Sequence, residues 1–152
     1  KHPAADIVSG SRYLKDLPEN GQAPEGRRRI NMEITAEINQ RLGLSLTDAF
    51  CGFKAYSKKA LRALPVTEPG YAMPLEVWVL AAVEKLHIVE LPIPLVYLDL
   101  TRSFGGALDD GTTRIAHYRE VLERTIRSIQ ARSGVNHSVG YGVSSPSQRV
   151  DA

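Results

Sequence analysis

The side chains in this sequence best suited to chemistry are arginines. Arg27, Arg28 and Arg29 stand in a row, Arg12 follows a short β-branched run, and Arg102 opens a glycine-containing stretch. A guanidinium is always charged and grips a phosphate or carboxylate through two parallel hydrogen bonds, so this set suits the holding of anions. Three acids stand out beside them. Asp48 opens a loop that enters a strand, where it can cap the turn. Glu76 lies inside the most apolar stretch, where an acid needs a partner or a raised pKa; a buried arginine such as Arg12 or Arg102 would supply the partner. Asp109 begins Asp-Asp-Gly-Thr, which reads as a helix N-cap. The four histidines, His2, His87, His117 and His137, show no metal-ligand spacing. Cys51 has no second cysteine to pair with and reads as a small buried residue in a reducing compartment.

These residues need elements to position them. Asp6 to Tyr13 runs from β-branched to small polar residues, a short strand entering a loop, and in an open α/β sheet ligands collect at such a strand end. Arg12 sits at that mouth. Because almost nothing precedes this strand to pair with it, the N-terminus reads as a cut through a domain. Lys15 to Gly26, with Pro18, Gly21 and Pro24, is a loop. From Arg27, Ile30, Ile34, Ile38 and Leu42 recur every four residues, an amphipathic helix ending at Gly43. Three cations in its first turn oppose the helix dipole unless an anion sits there too.

Ser57 can N-cap a short helix that stops before Pro65, and Pro74 suits the first turn of a buried helix carrying Leu75, Val77, Trp78, Val79, Leu80 and Val83. His87 to Asp99 predicts two short strands or one broken strand, confined to an edge or bulge by Pro92 and Pro94. Ile115, Tyr118, Leu122, Ile126 and Ile129 trace a last amphipathic helix, and residues 133–152 lack periodicity, as in a flexible tail.

At 152 residues, with a net charge of +2, 24% charged and 43% hydrophobic residues, the composition is that of one ordinary domain. A charge this small, with no stacking aromatics near Arg27 to Arg29, argues against nucleic acid as partner. The most apolar region is interrupted by Glu76, Glu84, Lys85, Glu90 and Asp99, too often for a membrane-spanning helix. Contact with a membrane would be peripheral, or made by chain outside this sequence.

Four segments in order, Ser9-Gly-Ser-Arg-Tyr13, the basic helix start at Arg27, Asp48-Ala-Phe-Cys-Gly-Phe-Lys-Ala-Tyr56 and Arg102-Ser-Phe-Gly105, resemble the dolichyl- and polyprenyl-phosphate sugar transferase branch of the family-2 glycosyltransferases. Glu76 and Glu90-Leu-Pro-Ile-Pro94 fit between the last two. The resemblance covers roughly Asp6 to Gly106. It implies an α/β fold, a partial GT-A (Rossmann-like) mixed sheet with flanking helices, in which residues 1–132 form the acceptor side and the N-terminal nucleotide-binding half is missing. It further implies inverting transfer of a hexose from a nucleotide-sugar, GDP-mannose or UDP-glucose, to a polyprenyl phosphate at the cytoplasmic membrane face.

By the same resemblance Arg12 and Arg27 bind the acceptor phosphate, with Arg28 taking the role after a one-residue shift. Asn31 stands where the family has a serine, Asp48 faces the reaction centre, Glu76 is the family's buried-helix acid, and Arg102 closes over the donor diphosphate. Mg or Mn would be bound mainly by the other half. The family usually continues the Arg102 loop with Ser-Lys, whereas this chain has Ala107-Leu108. The isolated chain would then be inactive and prone to dimerise. A non-catalytic anion-binding or protein-interaction module built on the same fold is the alternative.

Overall fold

A computed structural model describes residues 5–18, 21–96 and 103–132; the tail at 133–152 and Arg102 lie outside the described residues. The described chain is mixed α/β, with a three-stranded mixed sheet and four α-helices. Strand β1 (Ile7–Ser11) is central in the order β2-β1-β3. It pairs antiparallel with β2 (Lys54–Tyr56), Ile7 opposite Tyr56, and parallel with β3 (Ile88–Pro92), Ile7 opposite Ile88. The strand expected to lack a neighbour therefore has one on each side, both supplied by later chain. β3 is an edge of this sheet, one of the two places its prolines allow, and among the described residues of that stretch it is the single strand.

Helix α1 (Glu25–Leu42) buries Ile30, Ile34, Ile38 and Leu42 on one face. It stops at Gly43, whose φ of 66° is the left-handed conformation in which glycine meets no Cβ penalty; its N–H bonds the Asn39 carbonyl at 2.9 Å. The helix begins two residues before Arg27, so Glu25 shares the first turn with the arginines and offsets part of their conflict with the dipole. Ser57 caps α2 (Lys58–Ala63), accepting from Ala60 N at 3.0 Å.

Helix α3 (Met73–Val83) carries Pro74 in its first turn and is buried along Leu75 to Ala81. Helix α4 (Gly111–Arg132) packs through Tyr118, Val121 and Leu122 against α1 and α3. Trp78, Ile7, Ile34, Ile38, Leu75 and Leu122 are the largest side chains of the resulting core. Among the described residues no helix is long and apolar enough to cross a membrane.

Candidate functional site

The loop between α1 and β2 carries Asp48, whose side chain is fully buried. A lone carboxylate there would be costly, and this one is surrounded by donors. Arg12, just past the end of β1, approaches it side-on, with Nε 2.6 Å from Oδ2 and Nη2 2.9 Å from Oδ1; the Arg12 backbone N–H adds a contact at 3.2 Å. Asn31 Nδ2 donates to Oδ1 at 2.9 Å and Phe50 N at 3.2 Å. The Asn31 amide is oriented by Thr35, whose hydroxyl donates to its oxygen at 3.1 Å while accepting from Ala49 N at 3.2 Å.

Glu90 on β3 holds the same loop from the other side. Its carboxylate accepts from Thr47 N and Oγ1, each at 2.8 Å, and from Asp48 N at 3.1 Å. Since the one hydroxyl proton of Thr47 goes to Glu90, Ser11 on β1 is the donor in its 2.6 Å contact with Thr47 Oγ1. Trp78 on α3 donates its indole N–H to Ala49 O at 2.8 Å. Residues 47–49 are thus clamped by β1, β3, α1 and α3 together.

The electrostatics follow from this enclosure. Burial is the largest influence on Asp48 and opposes its ionisation, but the Arg12 guanidinium, Asn31 and the Arg12 N–H together outweigh it and hold the carboxyl below the usual carboxylate value. Burial likewise works against the Arg12 charge, and Asp48 overcomes it, raising the guanidinium further above its ordinary value. Lys54, over the Trp78 ring at 5.1 Å and bonded to the Cys51 carbonyl, is lowered by burial.

The arginines divide between two aromatic rings. Arg12 and Arg28 both lie against Tyr13, their guanidinium carbons 5.5 and 5.8 Å from its centre. Arg27 turns the other way and lies over Phe104 at 4.9 Å, a ring it shares with Arg114 of α4 at 4.4 Å. The structure therefore corrects the expectation that Arg27 to Arg29 have no aromatic neighbours: Arg27 meets Phe104 and Arg28 meets Tyr13. Arg12, Arg28, Asp48 and Asn31 come together; Arg27 does not join them.

Glu76 is not paired with Arg12. Its carboxylate accepts from Thr67 N at 2.9 Å, Thr67 Oγ1 at 3.1 Å and Glu68 N at 2.6 Å, closing the turn ahead of α3. The physical reason is proximity along the chain: a turn with free N–H groups lies within reach of the helix's first turn, and Arg12 is already occupied. Asp109 accepts from Ser103 Oγ at 2.6 Å and Phe104 N at 2.7 Å, while Asp110 accepts from Thr113 N at 2.7 Å at the start of α4, the capping role read from the sequence.

Among the described residues no group of three His, Cys, Asp or Glu side chains could hold a metal ion. The Asp48 oxygens are directed at N–H donors and offer no ligand to Mg or Mn. Sequence reasoning assigned no role to Glu90, Thr47, Thr35, Tyr13, Phe104 or Arg114. An acid inside an apolar strand was the available signal for Glu90; for Arg114 the sequence carries none.

No family profile matches the chain, and no solved structure matches it. A curated protein does: undecaprenyl-phosphate mannosyltransferase of Micrococcus luteus is 28% identical over 136 residues, 86% of this chain and 55% of that protein. The chain thus spans about half the length of the curated relative it matches.

Proposed function

We propose that this chain supplies the acceptor side of a glycosyltransferase with a GT-A fold, one that moves a hexose from a nucleotide-sugar to a polyprenyl phosphate. The similarity to a protein named as an undecaprenyl-phosphate mannosyltransferase supports the class of reaction. The observation that carries the assignment of this part is the Arg12–Asp48 pair at the C-terminal end of β1 with Arg28 beside it on Tyr13. Ligands of open α/β sheets lie at such strand ends.

A phosphate acceptor is already anionic and needs little deprotonation, so its site calls for fixed cations, in-line positioning and little else. Asp48 acts in this reading through Arg12. It occupies the Nε–Nη2 edge of the guanidinium and leaves Nη1 for the phosphate, with the exposed Arg28 as the second cation. Asn31 and Glu90 hold Asp48 and its loop still. Arg102 would close over the donor diphosphate. The Mg or Mn that the reaction class implies would be held by chain beyond these residues, where it would neutralise the donor diphosphate. The enzyme would work peripherally at the cytoplasmic membrane face.

Binding of a short-chain polyprenyl phosphate to the chain in detergent micelles tests this. Arg12→Ala and Arg28→Ala should each weaken binding by about 1–3 kcal/mol, and the double variant by less than the sum, because both cations serve one phosphate. Strict additivity, or no loss in either single variant, would sink the assignment.

A further inference from the structure

The arginines not used above define a second place. A cleft of about 280 Å³ opens between the start of α1 and the start of α4, lined by Pro24, Arg27, Arg29, Asp109, Gly111 and Arg114. Arg12, Arg41, Arg119, Arg124 and Arg127 each pair with a carboxylate. Arg27, Arg29 and Arg114 pair with none among the described residues. For the first two, exposure to water explains this. It does not explain Arg114, which is only 6% exposed.

Arg114 rests on the Phe104 ring and donates through Nη1 to the Leu108 carbonyl at 2.8 Å. Its Nη2 lies 4.0 Å from where a Cβ on Gly111 would stand, at the wall of the cleft. No carboxylate contacts Arg114 among the described residues, although its charge helps to lower Asp110 at longer range, and a largely buried guanidinium without a contacting counter-ion is a costly arrangement. Two helix N-termini converge on the same space and add their positive ends. The carboxylate of Asp109 also lines the cleft, but its oxygens are directed at Ser103 Oγ and Phe104 N.

We infer that this cleft is a second anion site, separate from the Arg12–Asp48 mouth, and that it takes a phosphate or diphosphate group through Arg114, Arg27 and Arg29. Its volume falls at the small end of ligand pockets, which suits one such group and not a whole nucleotide. The group belongs either to a free phosphate compound or to a lipid headgroup. The inference does not rest on the transferase reading, which uses Arg12 and Arg28.

Calorimetric titration of the full 152-residue chain with pyrophosphate at constant ionic strength, and co-sedimentation with phosphatidic-acid vesicles, test the site and distinguish the two sources. Saturable pyrophosphate binding identifies a free phosphate; binding to vesicles alone identifies a headgroup. In either arm Arg29→Gln and Arg114→Gln should weaken binding about tenfold, as expected for losing a charge-assisted contact. Arg62→Gln, which removes the same charge from an exposed position elsewhere, should change it less than about twofold, as screening of a distant surface charge requires. If Arg114→Gln does not fold, Arg27→Gln replaces it. The inference is overturned if neither probe binds, or if Arg29→Gln and Arg27→Gln bind like the parent chain. It is also overturned if Arg62→Gln loses as much as the others, or if only Arg12→Gln and Arg28→Gln lose binding, which would put the anion at the Tyr13 mouth.

Discussion

Asp48 keeps its charge inside the protein only because donors surround it, and that makes it a source of pH-dependent stability. Its carboxyl titrates lower in the folded chain than in the unfolded one. The stability this contributes is fully present above the unfolded value, near pH 4, and is lost as pH falls through the folded value. Urea denaturation from pH 6 down to pH 2.5 should therefore show a slope below about pH 4 that is smaller in Asp48→Asn. An identical slope in the variant would mean that other carboxylates carry the effect. Asp48→Ala leaves Arg12 without its partner and should cost about 2–4 kcal/mol at neutral pH, somewhat less than for a fully buried pair because the Arg12 side chain is 24% exposed. Glu76 offers the contrast at this scale. Glu76→Gln should lower stability by about 1 kcal/mol, since the amide presents N–H to the Thr67 and Glu68 donors, and should leave phosphate binding unchanged. A selective loss of phosphate binding would return Glu76 to the site.

The elements owe their ends to single residues. Gly43 closes α1, and Asn39 then ties the following loop back to the helix, donating to Leu46 O at 2.7 Å and accepting from Leu46 N at 2.8 Å. That pair of hydrogen bonds sets the path of the chain toward Asp48. Asn39→Ala should cost about 1–2 kcal/mol in urea denaturation and also loosen the Asp48 loop. Trp78, the only tryptophan, reports on that loop through its bond to Ala49 O. A variant whose stability falls while its Trp78 emission stays unchanged before unfolding would show that the loop does not depend on Asn39. The end of α1, the start of α2 and the first turn of α3 were legible in sequence at Gly43, Ser57 and Pro74, because caps and prolines act on neighbouring backbone. The start of α1 was read two residues late, since Glu25 and Gly26 lie ahead of the first apolar repeat.

At the scale of the whole molecule, the sheet is small and its edges are open. β2 and β3 each present one unpaired side among the described residues, and Phe53, Leu91 and Val96 are exposed nearby. Such edges recruit other strands. Sedimentation velocity should show concentration-dependent association of the isolated chain, reduced in Leu91→Lys; a dilution-stable monomer at all concentrations would contradict this. The isolated chain should also transfer no sugar and bind GDP-mannose or UDP-glucose more weakly than about millimolar, since none of the carboxylates described here is arranged to hold a metal-bound diphosphate. Tight metal-dependent binding in a titration with Mn would overturn that expectation.

By itself the sequence determined the periodic helices, the capped ends, a strand confined by its prolines to an edge or bulge, and a cluster of arginines at the start of α1. Each of these depends on residues within a few positions of one another, where propensity, capping and burial pattern act directly. Only the tertiary structure decided which arginine meets which acid. Arg12 reaches Asp48 across 36 positions and Glu90 reaches Thr47 across 43, because β1 lies between β2 and β3 and brings both loops to its end. The same packing sends Arg28 to Tyr13 but Arg27 to Phe104, one residue apart on α1 and therefore on different sides of the helix. No spacing rule in the sequence distinguishes those two arginines. The helix's rotation, set by burying Ile30, Ile34 and Ile38, does.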